Sequence, residues 1–108
     1  MTGRELLNIV LSEGVVVKEE HDDLVKEFDK ALEENRIYWI PKDGKTIGFC
    51  TYEKRDNRVL INKCVIYKQF RDRFSLISLC NYFRSLFKDV DYFYWINKRR
   101  GNRICRCR

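Results

Sequence analysis

The run from Val59 to Tyr67 limits the folds open to this chain more than any other segment. Read as a strand, it places Leu60, Cys64 and Ile66 on one face and Val59, Ile61, Val65 and Tyr67 on the other. A strand apolar on both faces needs cover on both, so it belongs in the middle of a sheet with other elements packed above and below. Lys63 interrupts the second face and is expected at its exposed edge. The 108 residues suit one domain of ordinary size, residues 1–108, with a core large enough to need no disulfide or metal. A hydrophobic fraction of 44% with 14% aromatics excludes a disordered chain.

Around this strand the periodicity assigns the other elements. Thr2 and Glu5 form a capping box ahead of a helix whose face is Leu6, Leu7, Val10 and Leu11, ended by Gly14. Val15, Val16 and Val17 make a short β-like run. A second helix starts near His21–Asp23, with acids in its first turn, and buries Leu24, Phe28 and Leu32, helped by Val25 and Ala31. From Asn35 the period changes to that of strands. Ile37–Ile40 and Ile47–Tyr52 pair as a hairpin across the turn chemistry of residues 41–45, and residues 55–58 turn into the central strand. A polar loop over 68–73 leads to a helix over 75–87 with the stripe Leu76, Leu79, Cys80, Phe83 and Leu86/Phe87. Tyr92–Ile96 is a further strand, and residues 98–102 turn into a final strand over 103–107.

The net charge of +6 is unevenly placed. Residues 19–34 carry Glu19, Glu20, Asp22, Asp23, Glu27, Asp29, Glu33 and Glu34, whereas Lys98, Arg99, Arg100, Arg103, Arg106 and Arg108 crowd residues 98–108, which hold no acid. Such a segment suits phosphates or an acidic protein surface. The cysteines, Cys50, Cys64, Cys80, Cys105 and Cys107, form no C-x-x-C pair, and His21 is remote from all of them, so no metal site is assigned. Free thiols are expected. No apolar run approaches the ~20 residues of a membrane span, and Met1–Glu5 lacks the apolar stretch of a signal peptide. The expectation is a cytoplasmic protein with no membrane partner.

The order helix, helix, three strands, helix, strand resembles the GNAT superfamily of acetyl-CoA-dependent N-acyltransferases, best over residues 36–97. Thr46-Ile47-Gly48-Phe49 is similar to the family's x-Gly-Phe hairpin strand, and Val59–Ile66 to its central strand. The family's phosphate loop, V-x-P-x-x-R-x-x-G-x-G-x-x-L, is matched from Ile66 at Arg71 and Leu79, while Phe74 and Leu76 replace both glycines and Lys68 the proline. In size and in the basic C-terminal end the chain looks like small phage-encoded GNAT-like proteins, which would place it in a host cytoplasm. The resemblance implies an α+β fold: a mixed, mainly antiparallel sheet with helices packed on it.

It also implies that coenzyme A, if bound, meets Ile66, Arg71, Arg73, Phe74 and Ser75. In the family, loop and helix amides converge on the pyrophosphate, and glycine lets the backbone come close. Phe74 and Leu76 crowd such a cradle, and Asp72 opposes an anion. Asn62 and Lys63 stand where a catalytic carboxylate would be useful, and no tyrosine follows Tyr94 to serve as acid, so no catalytic residue is assigned. The reading is a GNAT-like domain without catalysis or cofactor. It binds a macromolecule, a protein in first place because the chain carries both signs of charge, through Lys98, Arg99, Arg100, Arg103, Arg106 and Arg108, with Arg71 and Arg73 adding to that surface. The alternatives are an acetyl-CoA-dependent N-acetyltransferase and a nucleic-acid-binding module that adds Tyr92, Tyr94 and Trp95 to the basic end. Self-association of acidic and basic faces would make a homo-oligomer.

Overall fold

The computed structural model describes the backbone of residues 1–73, 76–97 and 101–106 and the side chains of 1–71 and 80–95. Thr2 opens helix α1 (Gly3–Ser12) as its sequence requires: its hydroxyl accepts the Glu5 amide at 3.2 Å, and the Glu5 carboxylate accepts the Thr2 amide at 3.1 Å. Leu6, Leu7 and Val10 are buried, but Leu11, expected in the same stripe, is 40% exposed. It sits at the rim of the helix face, beyond reach of the core. Gly14 takes a positive φ of 74° and ends the helix. Val15–Val17, expected as β-like, forms no ladder among the described residues, and Val16 is 85% exposed.

Helix α2 (His21–Glu33) buries Leu24, Phe28 and Ala31, with Leu32 partly covered. Several of its acids serve the helix pair itself. Asp29 Oδ1 accepts the Gly3 amide at 2.6 Å, and Asp22 pairs with Arg4 at 3.3 Å.

Strands β1 (Ile37–Lys42) and β2 (Lys45–Arg55) are joined by Asp43-Gly44, both at positive φ (52° and 77°), the conformation whose twist matches a two-residue hairpin. Strand β3 (Arg58–Ile66) follows, then a 3-10 segment (Lys68–Arg73), helix α3 (Leu76–Leu86), and strands β4 (Tyr92–Asn97) and β5 (Gly101–Arg106). The sheet order is β1-β2-β3-β4-β5, antiparallel except for the parallel pair β3–β4. The expected α+β architecture is therefore present, with residues 59–66 in the central strand. Tyr67 lies just beyond it, its amide donating to the Ile47 carbonyl at 2.8 Å. The polar loop expected over 68–73 is instead wound into the 3-10 segment.

Helices α1 and α2 cover one face of the sheet through Phe49 and Val65, and α3 covers the other through Cys50, Val59, Ile61 and Phe93. This corrects the simple alternation read along residues 59–67. The register passes from Thr51↔Lys63 to Tyr52↔Ile61, so Asn62 is an extra residue on β3. That bulge switches the strand's faces: Val59 and Ile61 join the α3 core, while Val65 joins the α1/α2 core. Lys63 accordingly sits toward the α1–α2 connection and pairs with Glu19.

On the α3 face, Phe83 is 1% exposed and meets Phe93 edge-on at a 5.4 Å centroid distance. On the opposite face, Phe49 meets Phe28 edge-on and Trp39 at a tilt. Gly48 before it is required by close approach: a Cβ there would stand 2.0 Å from the Val65 carbonyl oxygen. No helix among the described residues is long and apolar enough to cross a membrane.

Candidate functional site

Ile66 ends β3, and its carbonyl accepts Arg71 Nε at 2.9 Å. The same guanidinium donates from Nη2 to the Glu13 carbonyl at 2.5 Å, which ties the 3-10 segment to the end of α1. The Glu13 carboxylate accepts the Lys68 amide at 2.7 Å, and the Phe70 amide donates to the Tyr67 carbonyl at 2.9 Å. Burial, with the Glu13 carboxylate adding to it, pushes the Tyr67 phenol up. Arg73 closes the 3-10 segment with its side chain outside the described residues, where Phe74 and Ser75 also lie.

A cleft of about 440 Å³ opens beside the C-terminal half of β3. Val10, Val15, Leu24 and Phe28 line it from the helices, and Lys63, Cys64 and Val65 from the strand. Its carboxylate, Glu19, is engaged by Lys63 Nζ. Next to this cleft β3 and β4 part company: their parallel register covers Arg58↔Tyr92, Val59↔Phe93 and Leu60↔Tyr94 and goes no further.

On the α3 face, Tyr82 donates to the Tyr38 hydroxyl at 3.0 Å, and burial, then this bond, pushes the Tyr82 phenol up. Burial, reinforced by Cys64, likewise pushes up the thiol of Cys50, which disfavours a nucleophilic thiolate there. Cys50 and Cys64 are register partners across β2–β3.

The basic segment lies on and around the β4–β5 hairpin. Lys98, Arg99, Arg100 and Arg108 fall outside the described residues. Arg103 and Arg106 are placed by register opposite Trp95 and Tyr92. The aromatics beside them divide in two. Phe93 and Trp95 belong to the α3 core, whereas Tyr92 and Tyr94 belong to neither core cluster and lie side by side, half-buried, with centroids 6.0 Å apart. Across the sheet Leu60, also in neither cluster, is the register partner of Tyr94, and the exposed Arg58 is that of Tyr92. Sequence reasoning grouped Trp95 with the two tyrosines and missed Arg58 and Leu60. The odd–even alternation of residues 92–95 was the available signal for the first point; the second needs the parallel register.

Fold and site together define an α+β domain in which, among the described residues, no helix packs over Leu60, Tyr92 and Tyr94 of β3 and β4. In comparisons with known proteins, no family model and no curated protein matches the chain.

Proposed function

We propose that this chain is a GNAT-like binding domain that does not transfer acyl groups and engages a macromolecular partner with its basic C-terminal hairpin. One observation carries the reading: Arg71, the charge that survives from the family's phosphate loop, donates to the Ile66 and Glu13 carbonyls. A phosphate would have to displace both bonds. It would also stand near the Glu13 carboxylate that holds the Lys68 amide, a like-charge neighbour for any anion. The basic hairpin remains as the segment with the densest charge and no acid of its own.

The test is calorimetric titration with acetyl-CoA and with coenzyme A, joined to thermal unfolding. No saturable heat and no stabilisation are expected. A ligand at 100 times its Kd would raise stability by about 2.7 kcal/mol, and such a shift, lost on Arg71→Ala, would overturn the reading. The parting of β3 and β4 beside the 440 Å³ cleft favours one alternative, N-acyl transfer from acetyl-CoA, and the same titration decides between them.

A further inference from the structure

We propose that the open sheet face over β3–β5 is a platform for single-stranded nucleic acid, on which Tyr92 and Tyr94 stack bases and Arg58 meets a phosphate. The proposal rests on the reading of the chain as a binding domain and names its partner. Strand alternation sends Phe93 and Trp95 into the α3 core and leaves Tyr92 and Tyr94 on the opposite side. That side is covered by α1 and α2 near β1, β2 and the end of β3, through Ile37, Phe49 and Val65. Leu60 and the two tyrosines therefore form a half-buried apolar strip with no helix over it among the described residues. By register, Arg58 on β3 stands opposite Tyr92, which pairs on its other side with position 106 of β5.

This arrangement fits single strands for two reasons. Neighbouring rings on a flat face can each take the face of a base, but only where bases are splayed from the ~3.4 Å stack of a duplex strand. The hairpin that carries the rings also supplies residues 98–108, basic without an acid, which complements a polyanion more completely than a mixed protein surface. The two signs of charge that pointed to a protein partner weigh less here, because Asp22, Asp29, Glu19 and Glu34 are engaged by Arg4, Gly3, Lys63 and Arg36. Of the other acids, Glu27 of α2 and Glu53 of β2 line one pocket with Thr51 and Asn62, on the β2 side of the platform. The strand is thus confined to β3–β5.

The experiment is fluorescence anisotropy of the full chain with labelled homopolymer single strands about 12 nucleotides long, and with a duplex of equal length. Single strands are expected to bind more tightly than duplex. Tyr92→Ala and Tyr94→Ala should each weaken binding about 5- to 150-fold, while Tyr94→Phe, which keeps the ring, should bind as wild type. Arg58→Gln should lower the slope of log affinity against log salt by about 0.7. Circular dichroism on each variant verifies folding. No single-strand binding at about 100 μM protein in low salt, or binding that both folded alanine variants leave unchanged, overturns the platform. Titration of acetyl-CoA into the same samples separates the two failures. If acetyl-CoA also fails to bind, the binding-domain reading stands and a protein partner takes the place of nucleic acid; saturable acetyl-CoA binding removes that reading itself.

Discussion

Arg71 and Glu13, 58 residues apart in the chain, are joined by a 2.5 Å hydrogen bond from the guanidinium to a main-chain carbonyl. With the second bond to Ile66, this makes Arg71 a clamp between the exit of the central strand and the end of the first helix. Arg71→Ala should cost about 1–2 kcal/mol in urea unfolding, because two carbonyls lose a charged donor. Arg71→Lys should recover little of it, since one ammonium cannot span both acceptors. An unchanged midpoint for the alanine variant would show the clamp to be idle.

Phe83 tests the α3 packing. It is 1% exposed among Tyr82, Phe87 and Phe93, so Phe83→Ala should cost roughly 3–5 kcal/mol. Equilibrium denaturation measures this directly.

Gly48→Ala should destabilise by at least about 1–3 kcal/mol, because the new Cβ would meet the Val65 backbone oxygen and push β2 from β3. Thermal unfolding checks it. Gly44→Ala, in open space at a positive φ of 77°, should cost about 1–2 kcal/mol through backbone strain alone.

Stability should fall in alkali. The Cys50 thiol and the Tyr82 phenol both have raised folded pKa values, the first from an ordinary 9.0 and the second from 10.0. Below about pH 8 each is essentially neutral in folded and unfolded chains, so neither contributes a slope. Above those values the unfolded chain ionises first and is favoured, at up to about 1.4 kcal/mol per pH unit for the buried Cys50 and by less for the partly exposed Tyr82. Tyr82→Phe should flatten the part of the slope that begins above pH 10, at the cost of about 1 kcal/mol for the lost bond to Tyr38. Unfolding midpoints measured from pH 7 to pH 11 for both proteins give the comparison; parallel curves would contradict the assignment.

Local chemistry made much of the fold legible. The Thr2–Glu5 box, the left-handed Gly14, the Asp43-Gly44 turn and the four-residue spacing of Leu24 and Phe28 each act within a few residues, so their types alone set the backbone. The site was legible only in part. Tyr92 and Tyr94 stood out by type, but Arg58 is brought opposite Tyr92 from 34 residues away through a parallel register that no short pattern encodes.

What the sequence determined by itself, then, is the set of elements and the need for a doubly covered central strand, because periodicity and capping are properties of consecutive residues. Only the tertiary structure decided which face each side chain serves. A bulge is a relation between two strands, so the extra residue Asn62 could reverse the faces of β3 without breaking its apolar run. The same holds for Arg71, whose charge suits a phosphate or a carbonyl equally well. It became a clamp because the fold brought the end of α1 within its reach.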